Sequence, residues 1–393
     1  MSPRMSVGSM AAVLASLASL ATAVAADGPS PDAIRWRLQH GREMQPTTGL
    51  LHSAAPSALA KGPSLDVEAI GFDYPVGARV NFNTYRQAMK LDGLIVLKDG
   101  KVVFERYYDG MKPHGVHNWA SMSKSVVGVV ALRLAAQDVI DLDAPVARYV
   151  PELAATPFGV ASLQQNLDMR VSVSYPKALP PDRGLFAAAG LAPVPPGAPA
   201  TIHEFLKAAL PGAEPHGESF YYQNGSTEAV AWALEAASRK SLAELVNTYV
   251  WAPMGAADDG YYLVDRSRTA FAAGGIFSTL RDAARFGEFV CRGAGSDLSP
   301  RVTDWSKAPP SLSESFRYRD FWWRGRRGAF ALGRYGQRIA IVPDKGLVIA
   351  QFAAYGDDRP RATSGQETAK AKAADLRDGE AFEALTMAIA ERF

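Results

Sequence analysis

The chain has 393 residues, 42 of them Lys or Arg and 40 Asp or Glu, which gives a formal net charge of +2. With 48% of its residues hydrophobic, a chain of this length supports a large buried core and two or three structural units. The balanced charge, without a basic stripe, excludes nucleic acid as an expected partner. The single cysteine, Cys291, excludes an intrachain disulfide and a cysteine-based zinc site.

Residues 1–25 have the pattern of a signal peptide. Arg4 supplies the positive n-region, residues 5–22 are small and apolar, and Ala23-Val24-Ala25 fits a cleavage site. An uncleaved anchor is the alternative, but this alanine- and serine-rich stretch is only weakly hydrophobic. We therefore expect an exported protein, periplasmic in a Gram-negative source, with no stable membrane association after cleavage.

The following segments mark the start of the folded protein. Residues 26–75 are rich in Pro, Ala, Gly and Ser, which predicts an N-terminal arm with little structure of its own. The apolar runs 94–97 and 102–107 are separated by an Asp-Gly turn and predict a β-hairpin.

A polar cluster at residues 118–125 runs directly into the apolar stretch 126–132. Because this stretch is apolar on every face, it predicts a helix buried inside a domain. Ser121 and Lys124 are three residues apart and share one face of its first turn. A desolvated lysine loses its proton readily and can then accept the proton of a neighbouring hydroxyl. Ser-x-x-Lys alone also occurs by chance, as an N-cap serine and a solvated lysine.

The region 151–270 predicts a mostly helical domain inserted into an α/β domain formed by residues 76–150 and 271–393. We expect residues 170–200, with many prolines and glycines, to form a long loop. Before the predicted helix 225–237, Tyr222 and Asn224 are two positions apart, so they point the same way in an extended segment. The phenol can shuttle a proton and the carboxamide can bridge a lysine and a substrate. An aromatic core residue followed by an Asn-Gly turn is the alternative.

The C-terminal part predicts strands and one final helix. Residues 330–333, 337–342 and 347–352 are strand-like, and the helix from Glu380 places Phe382, Leu385, Ile389 and Phe393 on one face.

The sequence predicts neither a metal site nor a cofactor. His114 and His117 have metal-like spacing, but Pro113 and Gly115 rule out a helix there and no third ligand is evident. Trp323, in an aromatic triplet, is expected either in the core or at the mouth of a pocket.

The motifs Ser121-Met122-Ser123-Lys124 and Tyr222-Gln223-Asn224, in this order and spacing, resemble the serine hydrolases of the β-lactamase superfamily with the class C-like layout. The stretch 330–339 looks like the branch that contains 6-aminohexanoate-oligomer hydrolases and related esterases. The resemblance implies a β-lactamase/penicillin-binding-protein-like α/β (α+β) fold, with a mainly antiparallel sheet flanked by helices, a mostly helical domain, and the active site between them. Ala331 stands where that superfamily has the lysine of Lys-Thr-Gly.

The resemblance also implies an acyl-enzyme mechanism. Ser121 would be the nucleophile, and Lys124 with Tyr222 would accept and return its proton. The backbone N–H groups of Ser121 and Arg334 would form the oxyanion hole. The remaining implied site residues, which admit, position or contact the substrate, are Gly333, Asn224, Tyr175 and Trp323.

The sequence therefore predicts an exported serine hydrolase that acts on a small amide or ester. One alternative is a β-lactamase or D,D-peptidase, which the absence of a lysine at Ala331 disfavours. A non-catalytic binder of peptide or peptidoglycan on the same fold is the other alternative, and the intact Ser121, Lys124 and Tyr222 argue against it.

Overall fold

The computed structural model describes residues 30–74, 77–293, 310–313, 316–356 and 377–393, so the predicted signal peptide lies outside the described residues. Within these ranges no helix is long and apolar enough to cross a membrane. The α-helices, in chain order, are α1 Pro31–Gln39, α2 Gly41–Met44, α3 Phe82–Met89, α4 Ser123–Ala136, α5 Pro157–Val160, α6 Leu163–Leu167, α7 Pro181–Ala188, α8 Ile202–Lys207, α9 Asn224–Ser238, α10 Leu242–Val246, α11 Leu280–Cys291 and α12 Gly379–Ala390. The strands are β1 Thr47–Leu50, β2 Gly71–Asp73, β3 Arg79–Asn81, β4 Leu91–Lys98, β5 Lys101–Tyr107, β6 His117–Asn118, β7 Val173–Ser174, β8 Leu210–Pro211, β9 Gly260–Leu263, β10 Ile276–Ser278, β11 Pro310–Ser313, β12 Phe316–Arg319, β13 Trp322–Arg324, β14 Ala329–Leu332, β15 Arg338–Val342 and β16 Leu347–Ala353.

An antiparallel sheet of eight strands, in the order β11-β12-β13-β14-β15-β16-β4-β5, forms the centre of the fold. The predicted hairpin is its β4–β5 edge, where Asp99 and Gly100 have φ of 50° and 73°, as a tight turn between paired strands requires. Antiparallel pairing thus follows the sequence prediction.

Helices cover both faces of this sheet, which explains why its central strands are apolar throughout. Leu94 and Val96 of β4 pack into the cluster that contains residues of α3 and α12. Ile95 and Leu97 alternate with them and pack into the larger cluster with α4 and α11. A strand between two helical layers needs apolar side chains on both faces, and β4 supplies them.

The predicted buried helix is α4, and it is enclosed on every side. Val126, Val127, Val129 and Val130 are fully buried. Gly128 lies against a turn of the chain, since a Cβ built on it would stand 2.2 Å from the carbonyl oxygen of Asp320. The absence of a side chain at this position lets the turn approach α4 directly.

Two segments contain more helix than the sequence predicted. The expected loop 170–200 contains α7, and the expected unstructured arm contains α1, α2 and β1. Both α7 and α1 begin with proline, at Pro181 and Pro31. Proline breaks a helix in its interior but suits the first helical position, because its fixed φ is already helical and its missing N–H is not needed there. The prolines therefore start these helices.

The C-terminal helix differs in one residue from the prediction. Phe382, Leu385 and Ile389 are fully buried as expected, whereas Phe393 is 42% exposed. Because α12 ends at Ala390, Phe393 lies beyond the helix and does not share its buried face. The division of the chain into an α/β domain and a helical domain stays a prediction.

Replacing Gly128 should destabilise the protein. In Gly128→Ala the new methyl group meets the Asp320 carbonyl, and overpacking of this kind costs about 1–3 kcal/mol of the free energy of unfolding. Urea denaturation measures it. Gly49→Ala is the control, because its Cβ would have only an ordinary contact, 3.8 Å from Leu51. A Gly128→Ala protein as stable as the parent would contradict this packing.

Candidate active site

The turn before α4 presents Ser121 to a cavity. Ala120 adopts a left-handed φ of 46°, which is unusual for a residue with a side chain. Asn118 holds this turn, because its Oδ1 accepts the Ala120 N–H at 2.9 Å and its Nδ2 donates to the carbonyls of Gly274 and Ile276 at 3.0 and 3.1 Å. One asparagine thus joins the nucleophile turn to the neighbouring strand β10.

Lys124 lies beneath Ser121 and is only 1% exposed. Its Nζ is 2.9 Å from Ser121 Oγ and 2.8 Å from the carbonyl oxygen of Ala273. Burial lowers the pKa of Lys124 to about 7, although the negative charges of Glu228 and Asp182 act in the opposite direction. A neutral amine can donate to Ala273 and direct its lone pair at the serine hydroxyl. This geometry suits the predicted role of Lys124 as acceptor of the Ser121 proton, which stays a prediction.

Tyr222 is the third side chain beside Ser121 and Lys124. Its phenol hydrogen-bonds to the Ser121 side chain, and its ring centroid lies 5.3 Å from Lys124 Nζ. Burial raises the pKa of Tyr222 to about 12, and its hydrogen bond with Ser121 partly opposes this rise. The ring stacks on Trp323 with the centroids 5.5 Å apart. The structure thus brings Ser121, Lys124 and Tyr222 together, with Trp323 beside them at the cavity wall.

Glu228, which the sequence analysis did not single out, lies behind Lys124. It is 2% exposed, and its two carboxyl oxygens accept the backbone N–H groups of Ala272 and Ala273 at 3.2 and 2.8 Å. Burial raises the pKa of Glu228 to about 8, whereas these hydrogen bonds and Lys124 lower it. Glu228 therefore fixes Ala273, the residue whose carbonyl accepts from Lys124. The local signal was a carboxylate in the first half of α9, among mostly small and apolar residues.

The end of β14 lies directly beside the nucleophile turn. A Cβ on Gly333 would stand 2.6 Å from the Trp119 carbonyl oxygen, so only glycine fits without displacing that segment. Arg334 follows in a tight turn and lines the cavity. Ala331 is buried inside β14. The roles of Gly333 and of the Ser121 and Arg334 N–H groups at an oxyanion stay predictions.

Asn224 lines the cavity, whereas Tyr175 lies outside its lining. Asn224 lines the cavity, but its Nδ2 donates to Asp182 at 3.0 Å, so its amide is engaged across the cavity wall. Its contact with Lys124 stays a prediction. Tyr175 lies behind the Tyr222 segment, where its hydroxyl donates to Gln223 Oε1 at 3.2 Å and its ring stacks on Phe205. Tyr175 therefore supports the segment from behind and is not part of the cavity lining.

The cavity has a volume of about 1220 Å³ and joins distant parts of the chain. Ser121, Tyr222 and Trp323 line it, and Asp182 and Arg334 add charges of opposite sign. No cluster of His, Cys, Asp and Glu among the described residues could hold a metal ion. His117, considered at first as a metal ligand, instead contacts Asp92 through Nε2 at 3.0 Å.

Known proteins are similar to this chain in sequence and in fold. A sequence profile described as Beta-lactamase matches residues 83–372. The 6-aminohexanoate-dimer hydrolase of Paenarthrobacter ureafaciens is 28% identical over 361 residues, which cover 85% of this chain and 88% of that protein. A solved structure assigned as a 6-aminohexanoate-dimer hydrolase from Bacillus anthracis has a TM-score of 0.80 at 27% identity and covers 92% of this chain and 94% of that one.

More distant structures share the fold alone. The octameric penicillin-binding protein homologue from Pyrococcus abyssi has a TM-score of 0.57 at 16% identity, over 71% of this chain and 72% of that one. These matches confirm the β-lactamase/penicillin-binding-protein-like fold that the sequence predicted.

The low pKa of Lys124 sets the expected pH dependence of hydrolysis. Only the neutral amine accepts a proton, so kcat/KM should rise about tenfold per pH unit below pH 7 and level off above it. Steady-state kinetics between pH 5 and 9, with thermal unfolding at each pH to verify folding, measures this profile. Lys124→Arg should be inactive throughout, because a guanidinium stays protonated. A rate that falls as the pH rises through 7 would contradict the assignment of Lys124 as base.

Glu228 should stabilise the protein through its two hydrogen bonds. Glu228→Ala leaves two buried N–H groups without an acceptor, at a cost of about 1–3 kcal/mol each in the free energy of unfolding. Glu228→Gln keeps one acceptor oxygen and should lose less. Denaturant titration of both variants tests this, and equal losses for glutamine and alanine would contradict it.

Proposed function

The chain belongs to the Beta-lactamase family, and we propose that it is an exported serine hydrolase that cleaves a small linear amide or ester through an acyl-enzyme on Ser121. The observation that carries the proposal is the contact of 2.9 Å between Ser121 Oγ and the buried Nζ of Lys124, with the phenol of Tyr222 on the same hydroxyl. The N-terminal signal-peptide pattern supports export.

The proposed reaction has two halves. In the first, Lys124 takes the Ser121 proton while Oγ attacks the substrate carbonyl, and the proton passes through Tyr222 to the departing nitrogen or oxygen. The backbone N–H groups of Ser121 and Arg334 stabilise the oxyanion. In the second half, water attacks the acyl-enzyme and gives a proton to Lys124, and Ser121 leaves with that proton restored. Tyr222 stays protonated at rest because its pKa is about 12.

A linear amide is the substrate that the cavity and the relatives favour. The relatives described above are named for the 6-aminohexanoate dimer, a flexible chain with an internal amide, an amino group at one end and a carboxyl group at the other. The cavity offers a carboxylate at Asp182, held by Asn224, and a guanidinium at Arg334. Charges of both signs around one cavity suit a substrate that carries both.

Two alternative functions fit the site less well. Penicillin-recognising enzymes need a cation on the third-motif strand, whereas Ala331 there is a buried methyl group in β14. A pure binder has no use for a desolvated lysine in contact with a hydroxyl, because the lysine's burial costs stability.

Removing the nucleophile tests the proposed function. Ser121→Ala should lower kcat/KM for p-nitrophenyl acetate and for the 6-aminohexanoate dimer by about a thousandfold or more, and should abolish labelling by a fluorophosphonate. Tyr222→Phe should lose kcat while still being labelled slowly. Ser174→Ala, at an exposed serine, is the control. Turnover or labelling of Ser121→Ala equal to that of the parent would refute the proposal.

A further inference from the structure

We propose that residues 31–45, the N-terminal wall, determine substrate specificity, and that Arg35 holds this wall against the body of the protein. The wall selects linear substrates that extend away from the bond being cleaved. The inference deepens the proposed function, because it names the kind of substrate that the same cavity accepts.

The wall forms part of the cavity that contains Ser121. Residues Ile34, Arg37, Leu38, Met44 and Gln45 all line it. Ile34 and Leu38 share one face of α1 and are 2% and 6% exposed. They pack on Ala354 and against Tyr335, which immediately follows Arg334. A segment far from Ser121 in sequence therefore contacts the turn next to the nucleophile.

A buried carboxylate holds the wall in place. Asp92 is fully buried, and its Oδ1 accepts from Arg35 Nε at 2.5 Å. Arg35 also pairs with Asp109 at 2.8 Å. The other oxygen of Asp92 contacts His117 Nε2 at 3.0 Å. Since a buried carboxylate without a cation is strongly destabilised, the pairing with Asp92 fixes the position of α1 on the body.

The same contacts connect the wall with the nucleophile turn. His117 precedes Asn118, the residue that holds Ala120, and its ring stacks on Phe352 with centroids 4.7 Å apart. At the far end of the wall, Gln45 Nε2 donates to the carbonyls of Ala189 and Val264 at 3.2 and 3.4 Å. The wall is therefore attached at both ends and extends from the turn at Tyr335 to the chain after α7.

The chemistry of the wall indicates what it binds. Ile34, Leu38 and Met44 are apolar, and Arg37 presents an exposed guanidinium. An apolar surface that ends in a cation fits a polymethylene chain that ends in a carboxylate. A substrate as short as an acetyl ester fills only the part of the cavity at Ser121 and leaves the wall untouched.

Two substrates of different length test the inference. Leu38→Ala, which alters the wall without touching Arg35, should lower kcat/KM for the 6-aminohexanoate dimer by about tenfold or more, mainly through KM, and change kcat/KM for p-nitrophenyl acetate by less than about twofold. Arg35→Met should show the same loss for the dimer and a smaller loss for p-nitrophenyl acetate, because Asp92 also contacts His117 beside the turn that holds Ser121. Asp32→Asn removes a partner of Arg35 that is itself 93% exposed, and should change neither value.

Binding gives a second readout that does not depend on turnover. Calorimetry of the dimer with Ser121→Ala should detect binding, and adding Arg35→Met should weaken it by about tenfold. An equal loss for both substrates, no loss for either, or no binding of the dimer to Ser121→Ala would overturn the inference. A failure of the proposed function would give a different result from these, because Ser121→Ala would then turn over substrate as fast as the parent protein.

Discussion

The removal of Lys124 from water is the interaction on which the rest of the site depends. A protonated Lys124 could not act as a base. The apolar surroundings lower its pKa to about 7, so that a large fraction of the amine is neutral near that pH. That surrounding is α4 itself, apolar on all faces, and it is stable only between a sheet and a second layer of helices. The fold thus supplies the dry interior that the chemistry of Lys124 requires.

Two carboxylates oppose the effect of desolvation on the pKa of Lys124. Glu228 and Asp182 both favour the charged lysine, yet burial has the larger effect on its pKa. Glu228 is itself buried, and its two carboxyl oxygens accept hydrogen bonds from the N–H groups of Ala272 and Ala273. It thereby holds Ala273, whose carbonyl accepts from Lys124, so that the amine lies between this carbonyl and Ser121.

The cavity wall is assembled from segments that are remote in sequence. Trp323 reaches it on β13, Asp182 on α7, and residues 31–45 from the N-terminal side. Together they shape the space around Ser121. In such an arrangement the reacting groups fix the type of reaction, and the surrounding walls fix which molecules reach them.

The sequence by itself determined the parts that depend on local pattern. The hydrophobic pattern predicted α4 and the β4–β5 hairpin, and motif spacing singled out Ser121, Lys124 and Tyr222. Only the tertiary structure showed that Glu228 supports Lys124, that Tyr175 lies behind Tyr222, and that Asp92 joins Arg35 to His117. A run of apolar residues reveals burial because neighbouring residues share one helix or strand. A buried charged side chain instead pairs with a residue from a distant part of the chain, and no regular sequence spacing marks that partner.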